Sequence, residues 1–274
     1  MTRADLLARY DRELRAEAEF RDADEVTRIG PLWCATFPAR GRGFISYAAL
    51  GPEDDVEALI AGAVAHYAAD ERVQRFEWKT RGHDAVPHLL DRLAAHGFVI
   101  EEVETVMAGP AEQVAEVAGR DGLPEGYRIE QATTEATVRE AEALAGLVFG
   151  DTADQSAGLA DELVARMQAE PDSFEMWLVR GPSGEVVCSG RVDFVDGTEF
   201  AGLWGGACHV DHRGKGLYRA LTAARARSAL ARGKRVLQSD CTEHSRPILE
   251  RAGLVPITTS TPAIWHRSAA PAHA

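Results

Sequence analysis

The residues with the most chemical potential stand together in one stretch: Gly205-Gly206-Ala207-Cys208-His209-Val210-Asp211-His212-Arg213-Gly214-Lys215-Gly216-Leu217-Tyr218. It reads as a strand, a basic glycine loop and the start of a helix. The first backbone N–H groups of a helix have no partner within it, and the macrodipole places positive potential there. Glycines let the backbone come close to a pyrophosphate, and Arg213 and Lys215 add charge. The strand before the loop can lend backbone groups to an extended ligand if it splays from its neighbour. The segment is therefore a candidate anion site. It is not a Walker A loop, whose Gly-x4-Gly-Lys-Ser/Thr spacing is absent, nor a dinucleotide fingerprint. A second Arg-Gly-x-Gly, Arg40-Gly41-Arg42-Gly43, runs into the strand pattern Phe44–Leu50. With no helix N-terminus behind it, it is read as a loop entering a strand.

The elements around the candidate loop follow from periodicity and punctuation. Tyr127–Gln131 reads as a strand, and Thr133 or Thr134 caps a helix running to Phe149. Leu159–Ala169 is a second helix, stopped before Pro171. Strands follow at Phe174–Arg180, Glu185–Phe194 and Glu199–Cys208, the last two joined at Asp196-Gly197. After the loop, Leu217, Leu221, Ala224 and Ser228 share one face of a helix over Lys215–Arg232. Arg235–Asp240, His244–Ala252 and Val255–His266 then read as strand, helix and final strand. The fold class is α/β with a mixed sheet.

The first half is less regular. Helix-like segments lie at Leu6–Arg21, Val56–Ala69 and Val86–His96, and strand-like ones at Gly43–Leu50, Gln74–Lys79 and Glu101–Met107. Phe76-Glu77-Trp78, a helix and His96-Gly97-Phe98 echo Val236-Leu237-Gln238, a helix and Ala252-Gly253-Leu254. Each echo is followed by one more strand. Glycine and proline at Gly109-Pro110 and Leu123-Pro124-Glu125-Gly126 bracket a linker, whose middle, Ala111 to Ala118, reads as one or two helical turns. The expected division is a domain over 1–110, a linker over 111–125 and a domain over 126–274.

Composition narrows the function. The 274 residues carry a net charge of −13, which argues against a nucleic-acid or anionic-membrane binder and suits a cationic amine substrate. No apolar run reaches the ~18 residues that span a bilayer, and Met1–Asp5 has no signal-peptide character, so a cytoplasmic protein is expected. Cys34, Cys188, Cys208 and Cys241 form no zinc spacing; they read as reduced thiols, and no metal is expected.

Arg213-Gly214-Lys215-Gly216-Leu217-Tyr218 resembles motif A of the GNAT acyltransferases: Arg or Gln, two residues of any kind, Gly, any residue, then Gly or Ala. It departs at Tyr218, where a small residue is usual. The element order of about residues 126–267 is also similar to that family. The resemblance implies a central mixed sheet of GNAT type and two tandem GNAT-like domains, the first degenerate and without a coenzyme site. It implies acetyl-CoA as co-substrate. Ala207, Cys208 and Val210 would lend backbone groups to the pantetheine arm, and Arg213, Gly214, Lys215, Gly216, Leu217 and Tyr218 would hold the pyrophosphate.

The implied reaction is attack of an amine on a thioester, with a base for the amine and an acid for the departing thiolate. The family's tyrosine acid falls at Leu249 and its glutamate base at Gly202, so both positions are vacant. Asp240, at the end of the strand flanking the cleft, is a weak substitute beside its alternative as a turn or capping residue. Glu199, His209 and His212 are weaker still. Trp177, Trp204, Trp265, Phe194 and Phe200 fall in strands, where core packing is the default and a stacking platform the sharper option. The leading expectation is an acyl-CoA-dependent N-acyltransferase acting on a small-molecule amine. The alternatives are a non-catalytic acyl-CoA-binding or sensor protein, and a peptide N-acetyltransferase.

Overall fold

Alternating strands and amphipathic helices arrange the chain around two mixed sheets, in a computed structural model that describes residues 1–20, 23–51 and 53–267. The first stretch holds α1 (Arg3–Glu13), β1 (Glu25–Ile29), β2 (Leu32–Phe37), β3 (Arg42–Ser46), α2 (Val56–Ala69), β4 (Arg75–Lys79), α3 (Leu89–Ala95), β5 (Val99–Ile100) and β6 (Glu104–Pro110). Next come α4 (Ala111–Gly119), β7 (Arg128–Ala132), α5 (Glu135–Phe149), α6 (Ala153–Ala169), β8 (Phe174–Arg180), β9 (Val186–Phe194) and β10 (Phe200–Cys208). The chain continues through α7 (Leu217–Ala231), β11 (Val236–Cys241), α8 (Arg246–Arg251), β12 (Val255–Ser260) and β13 (Pro262–His266).

Among the described residues, one sheet runs β1-β2-β3-β4-β13-β5 and the other β12-β6-β11-β10-β9-β8-β7. Among the described residues, the compact units are residues 107–256, and residues 2–106 together with 257–267. This corrects the expected boundaries. Residues 111–119 are no linker: Ala111, Val114, Ala115 and Ala118 form a buried helical face against Ala223, Ala226 and Ala229 of α7. The glycines and prolines that suggested a linker are the stops of a short core helix. The expected final strand Val255–His266 is likewise two strands, broken at Thr261-Pro262, with β12 in one sheet and β13 in the other. The echoed units thus share a layout: β13 lies between β4 and β5, as β6 lies between β11 and β12. The hairpin β1–β2 was not expected; its two-residue loop puts Gly30 at φ 55°, where glycine is free of Cβ strain. The expected helix Leu6–Arg21 ends at Glu13, where Leu14 leaves helical geometry at φ −121°; Ala16 then takes a left-handed conformation, φ 56°, at the start of a short 3₁₀ turn, and Arg21 lies outside the described residues.

In the 107–256 unit the strand period of two sorts residues onto two faces. Val192, Phe194, Ala201, Leu203 and Leu237 face α4 and α7. Phe174, Met176 and Leu178 face Val138 and Ala141 of α5 and Leu163 and Val164 of α6. In the other unit, Val56, Ile60, Ala63 and Tyr67 of α2 recur at helical spacing and pack on Ile45, Phe76 and Trp78. The second Arg-Gly-x-Gly is a turn into β3, as read from the sequence. Gly41 holds φ 58°, and the space a Gly43 side chain would take is filled by the Tyr67 ring. The Tyr67 hydroxyl sits 2.7 Å from the Ala35 carbonyl and 3.2 Å from that of Phe44. No described helix is long and apolar enough to cross a membrane.

One charged residue lies on the buried face of α5. Glu142 is 9 % exposed, and burial pushes its carboxyl above the usual range, with the Arg191 charge pulling the other way.

Two predictions follow from this packing. Gly43→Val forces a branched side chain into the Tyr67 ring, so urea unfolding should show a loss of about 1–3 kcal/mol or more; an unchanged midpoint would mean that Tyr67 moves aside freely. Glu142 has a folded pKa above its unfolded value of about 4.3, so stability falls as pH rises past that value and the buried carboxylate weakens the fold at pH 7. Glu142→Gln should melt higher than wild type at pH 7, with the gain shrinking towards pH 4. A lower melting temperature at pH 7 would show a favourably held carboxylate instead.

Candidate functional site

The site starts where β10 leaves β11. Their parallel pairing covers only Phe200–Gly202 against Val236–Gln238, although β10 continues to Cys208 and β11 to Cys241. On its other side β10 stays paired with β9 through Cys208↔Cys188, with a register shift between Trp204 and Ala207. Gly205 occupies the shift at φ 59°, a conformation costly to other residues. Past Gly202 the β10 edge towards β11 therefore faces a widening gap, in which Ser239 Oγ donates to the Leu203 carbonyl at 2.9 Å.

The chain then passes through the 3₁₀ turn Val210–His212 and an extended Arg213, and enters α7 through Gly214 and Gly216, at φ 76° and 80°. In the protein alone no atom lies near a Cβ built on Gly214, and only the tip of Arg219 approaches one on Gly216. Backbone conformation is therefore what calls for glycine here. Gly216 is the N-cap of α7 and supplies no side-chain oxygen, so the orphan N–H groups of a fifteen-residue helix go uncapped by side chain.

These elements line a cavity of about 1110 Å³. Its wall includes Gly206, Cys208, His212 and the run Arg213–Arg219. Arg213 Nε donates to the Cys208 carbonyl at 3.1 Å, which folds the loop back on the strand end. Lys215 Nζ donates to the Tyr127 hydroxyl at 3.1 Å, which also lies 3.0 Å from His212 Nδ1. Arg219 pairs with Asp121. A cleft with uncapped helix N–H groups, two exposed cations and a splayed strand edge fits an extended ligand carrying a pyrophosphate.

The structure brings Cys208 and Arg213 through Tyr218 to one cavity. Ala207 is buried beside them, opposite Ser189, and Val210 is exposed, its carbonyl accepting from Arg213 N at 3.3 Å. Asp240 lies at the end of β11, where its Oδ1 accepts from Gln238 Nε2 at 2.6 Å; the cavity wall takes Thr242, two residues further on. The vacancies have physical reasons. The Trp204 indole fills the space a side chain on Gly202 would need, and Leu249 is a core residue, 1 % exposed. Tyr218, the departure from the motif, lays its ring where Gly206 has no side chain. Of the strand aromatics, Phe200 is fully buried, Phe194 is buried beneath Arg232, Trp177 gives its indole N–H to Glu175, Trp265 packs on Phe76 in the other sheet, and Trp204 is half-buried against Gly202.

Sequence reasoning passed over Val148 and Phe149 at the end of α5, Arg219, and Thr242, His244, Ser245, Ile248 and Arg251 around α8, all on the cavity wall. Arg219 carried a signal, one turn beyond the glycine loop. The others are gathered only by the sheet order.

Solved structures resemble most of the chain. A GCN5-related N-acetyltransferase from Kribbella flavida matches with TM-score 0.68 at 18 % identity, over 94 % of this chain and 93 % of that one. A tandem GNAT protein from the clavulanic acid biosynthesis pathway, solved without AcCoA, matches with TM-score 0.65 at 13 % identity, over 97 % of this chain and 96 % of that one. A GCN5-related N-acetyltransferase from Sphaerobacter thermophilus matches with TM-score 0.60 at 14 % identity, over 86 % of this chain and 76 % of that one. No protein-family model and no curated protein matches the sequence. With its two mixed sheets and helices, the chain has the tandem GNAT fold.

Proposed function

We propose that the chain is an N-acyltransferase that takes its acyl group from acyl-CoA, with acetyl-CoA as donor, and passes it to the amine of a small molecule. The observation that carries this reading is the uncapped N-terminus of α7 at Gly216, opening on the cavity between Arg213 and Lys215. Arg213, Gly214, Lys215, Gly216, Leu217 and Tyr218 would hold the pyrophosphate, and Ala207, Cys208 and Val210 would offer backbone groups to the pantetheine arm. The coenzyme would supply the activated thioester. The chain's own part is to bind, orient and exclude water, since an oriented pair of reactants gains several kcal/mol over a free encounter, about 7–11 at best.

Proton transfer has no dominant side chain under this reading. Trp204 covers Gly202, and Leu249 is in the core. The amine loses its proton to water, with Asp240 acting through its field alone. Residues 2–106 bind no coenzyme, since their Arg-Gly-x-Gly enters a strand.

Calorimetry with acetyl-CoA tests the site. Wild type should bind one molecule per chain. Gly216→Val puts a branched residue at φ 80° and should abolish binding while circular dichroism stays native. Unchanged affinity in the folded variant would remove the assignment, and two molecules per chain would place a second site outside this cavity.

A thiol-release assay with acetyl-CoA over a panel of amines tests the activity. Asp240→Asn should lose less than about tenfold in turnover, because field effects near solvent are screened. A loss of about a hundredfold with disappearance of the basic limb of the pH profile would make Asp240 the base. Tight binding with no turnover of any amine would instead make the chain a non-catalytic acyl-CoA-binding protein.

A further inference from the structure

Cys188 and Cys208 stand directly opposite each other on β9 and β10. The next pair along the ladder is bonded, His209 N donating to the Val187 carbonyl at 2.9 Å. Bonded and non-bonded pairs alternate in an antiparallel ladder, so Cys188 and Cys208 form a non-bonded pair, the kind whose Cα atoms approach to about 4.5 Å. That separation lies inside the range that a disulfide bridges, about 4.4–6.8 Å. Both thiols lie on the α7 face of the sheet, in one cluster with Leu217, Leu221 and Tyr218.

The two thiols differ in access and in surroundings. Cys208 is half-buried and is one of the residues that line the cavity, so it is the more accessible of the two to a solute in the cleft. Cys188 is fully buried, directly opposite Cys208 on the ladder. The neighbouring Cys188 thiol lowers the pKa of Cys208, burial opposes this, and the Arg213 and Lys215 charges act in the lowering direction. Burial raises Cys188, while the Arg225 charge opposes this. Arg225 is itself completely buried and pairs with no carboxylate among the described residues. Its Nη1 donates to the Arg191 carbonyl at 3.3 Å, its Nη2 to Thr222 Oγ1 at 3.2 Å, and its Nε has no partner.

We propose that Cys188 and Cys208 are a redox-active dithiol in this cleft, oxidised by low-molecular-weight organic disulfides to a reversible cross-strand disulfide. The Cys208 thiolate attacks one sulfur of the small disulfide, forming a mixed disulfide and expelling one thiolate. Cys188 gives up its proton and attacks the Cys208 sulfur, expelling the second thiolate. Two protein thiols are oxidised by two electrons, the small disulfide is reduced to two thiols, and those take up the two protons. Cys208 attacks first because it is the more accessible and the more ionised, and Cys188 resolves because the ladder holds it against the Cys208 sulfur.

The test uses the whole chain with oxidised glutathione, followed by digestion without reductant and mass spectrometry. Wild type should yield one cross-linked species joining the Cys188 and Cys208 peptides, two hydrogens lighter than the reduced pair and reversed by dithiothreitol. Cys34 and Cys241 should remain thiols. Cys188→Ser should stop at a stable glutathione adduct on Cys208. Cys208→Ser should consume reagent at least about tenfold more slowly, with no adduct on Cys188. Wild type that stays fully reduced, or keeps the adduct on Cys208 without cross-linking, overturns the proposal, and both readouts are independent of how the variants fold. The same reaction with acetyl-CoA present separates this proposal from the coenzyme reading. Slower cross-linking supports both. Cross-linking at an unchanged rate leaves the dithiol standing and removes Cys208 from the coenzyme site.

Discussion

β10 and β11 pair over three residues and then part, and the cleft depends on that parting. A parallel pair carried to the strand ends would satisfy the backbone groups of both and leave nothing for a ligand. The bulge at Gly205 helps to release β10, since an extra residue on one strand bends it and increases its twist. The bend carries the strand end into a loop that must reverse within a few residues to start α7. That reversal needs backbone conformations at Gly214 and Gly216 that L side chains rarely take. The helix therefore begins on a glycine without a capping oxygen, which leaves its N–H groups to a ligand.

The departure from the motif at Tyr218 is local to this frame and compensated within it. A small residue there would leave a hollow above Gly206; the Tyr218 ring fills it, with the Arg225 guanidinium 5.4 Å from the ring centre. Gly190 completes the arrangement, because a Cβ there would press on the same guanidinium. Gly190, Gly206, Tyr218 and Arg225 thus constrain one another, and a single substitution at Tyr218 disturbs all four. Arg225 is buried with no carboxylate partner among the described residues, at a desolvation cost that only part of its hydrogen-bonding capacity offsets.

The second half was largely legible in the sequence because its signals are local. Thr134 caps α5 by a hydrogen bond from Thr137 N at 3.3 Å, β8 was placed at its observed bounds, and the loop into α7 was placed from glycines and cations alone. What failed was non-local. The helical face of α4 was visible as Ala111, Val114, Ala115 and Ala118, but its flanking glycines and prolines outweighed nine residues of weak periodicity. Nothing near Pro262 announces that β13 belongs beside β4, because that pairing joins residues about 180 positions apart in sequence, such as Trp78 and Ala263. The cavity wall shows the same division: Arg213 to Tyr218 could be read in a row, whereas Phe149, Thr242 and Arg251 meet them only through the order of strands.

The net charge of −13 and the cationic loop act at different ranges. At physiological salt the screening length is about 8 Å, so a ligand in the cleft responds to its immediate lining rather than to the total. There Arg213, Lys215 and Arg251 face the cavity, and Arg219 is partly neutralised by Asp121. An anion that reaches the mouth meets a local positive field, reinforced by the start of α7. A cation approaching from solution meets the acidic remainder first. For a transferase that joins an anionic donor to a cationic acceptor this separation is useful. Under the proposed function the donor would be held by short-range contacts that salt weakens little, and the acceptor gathered by a diffuse field that salt weakens strongly. Under that reading, discrimination between an anionic and a cationic substrate would be set by where the charges sit along the chain, and the loop can remain basic in an acidic protein without conflict.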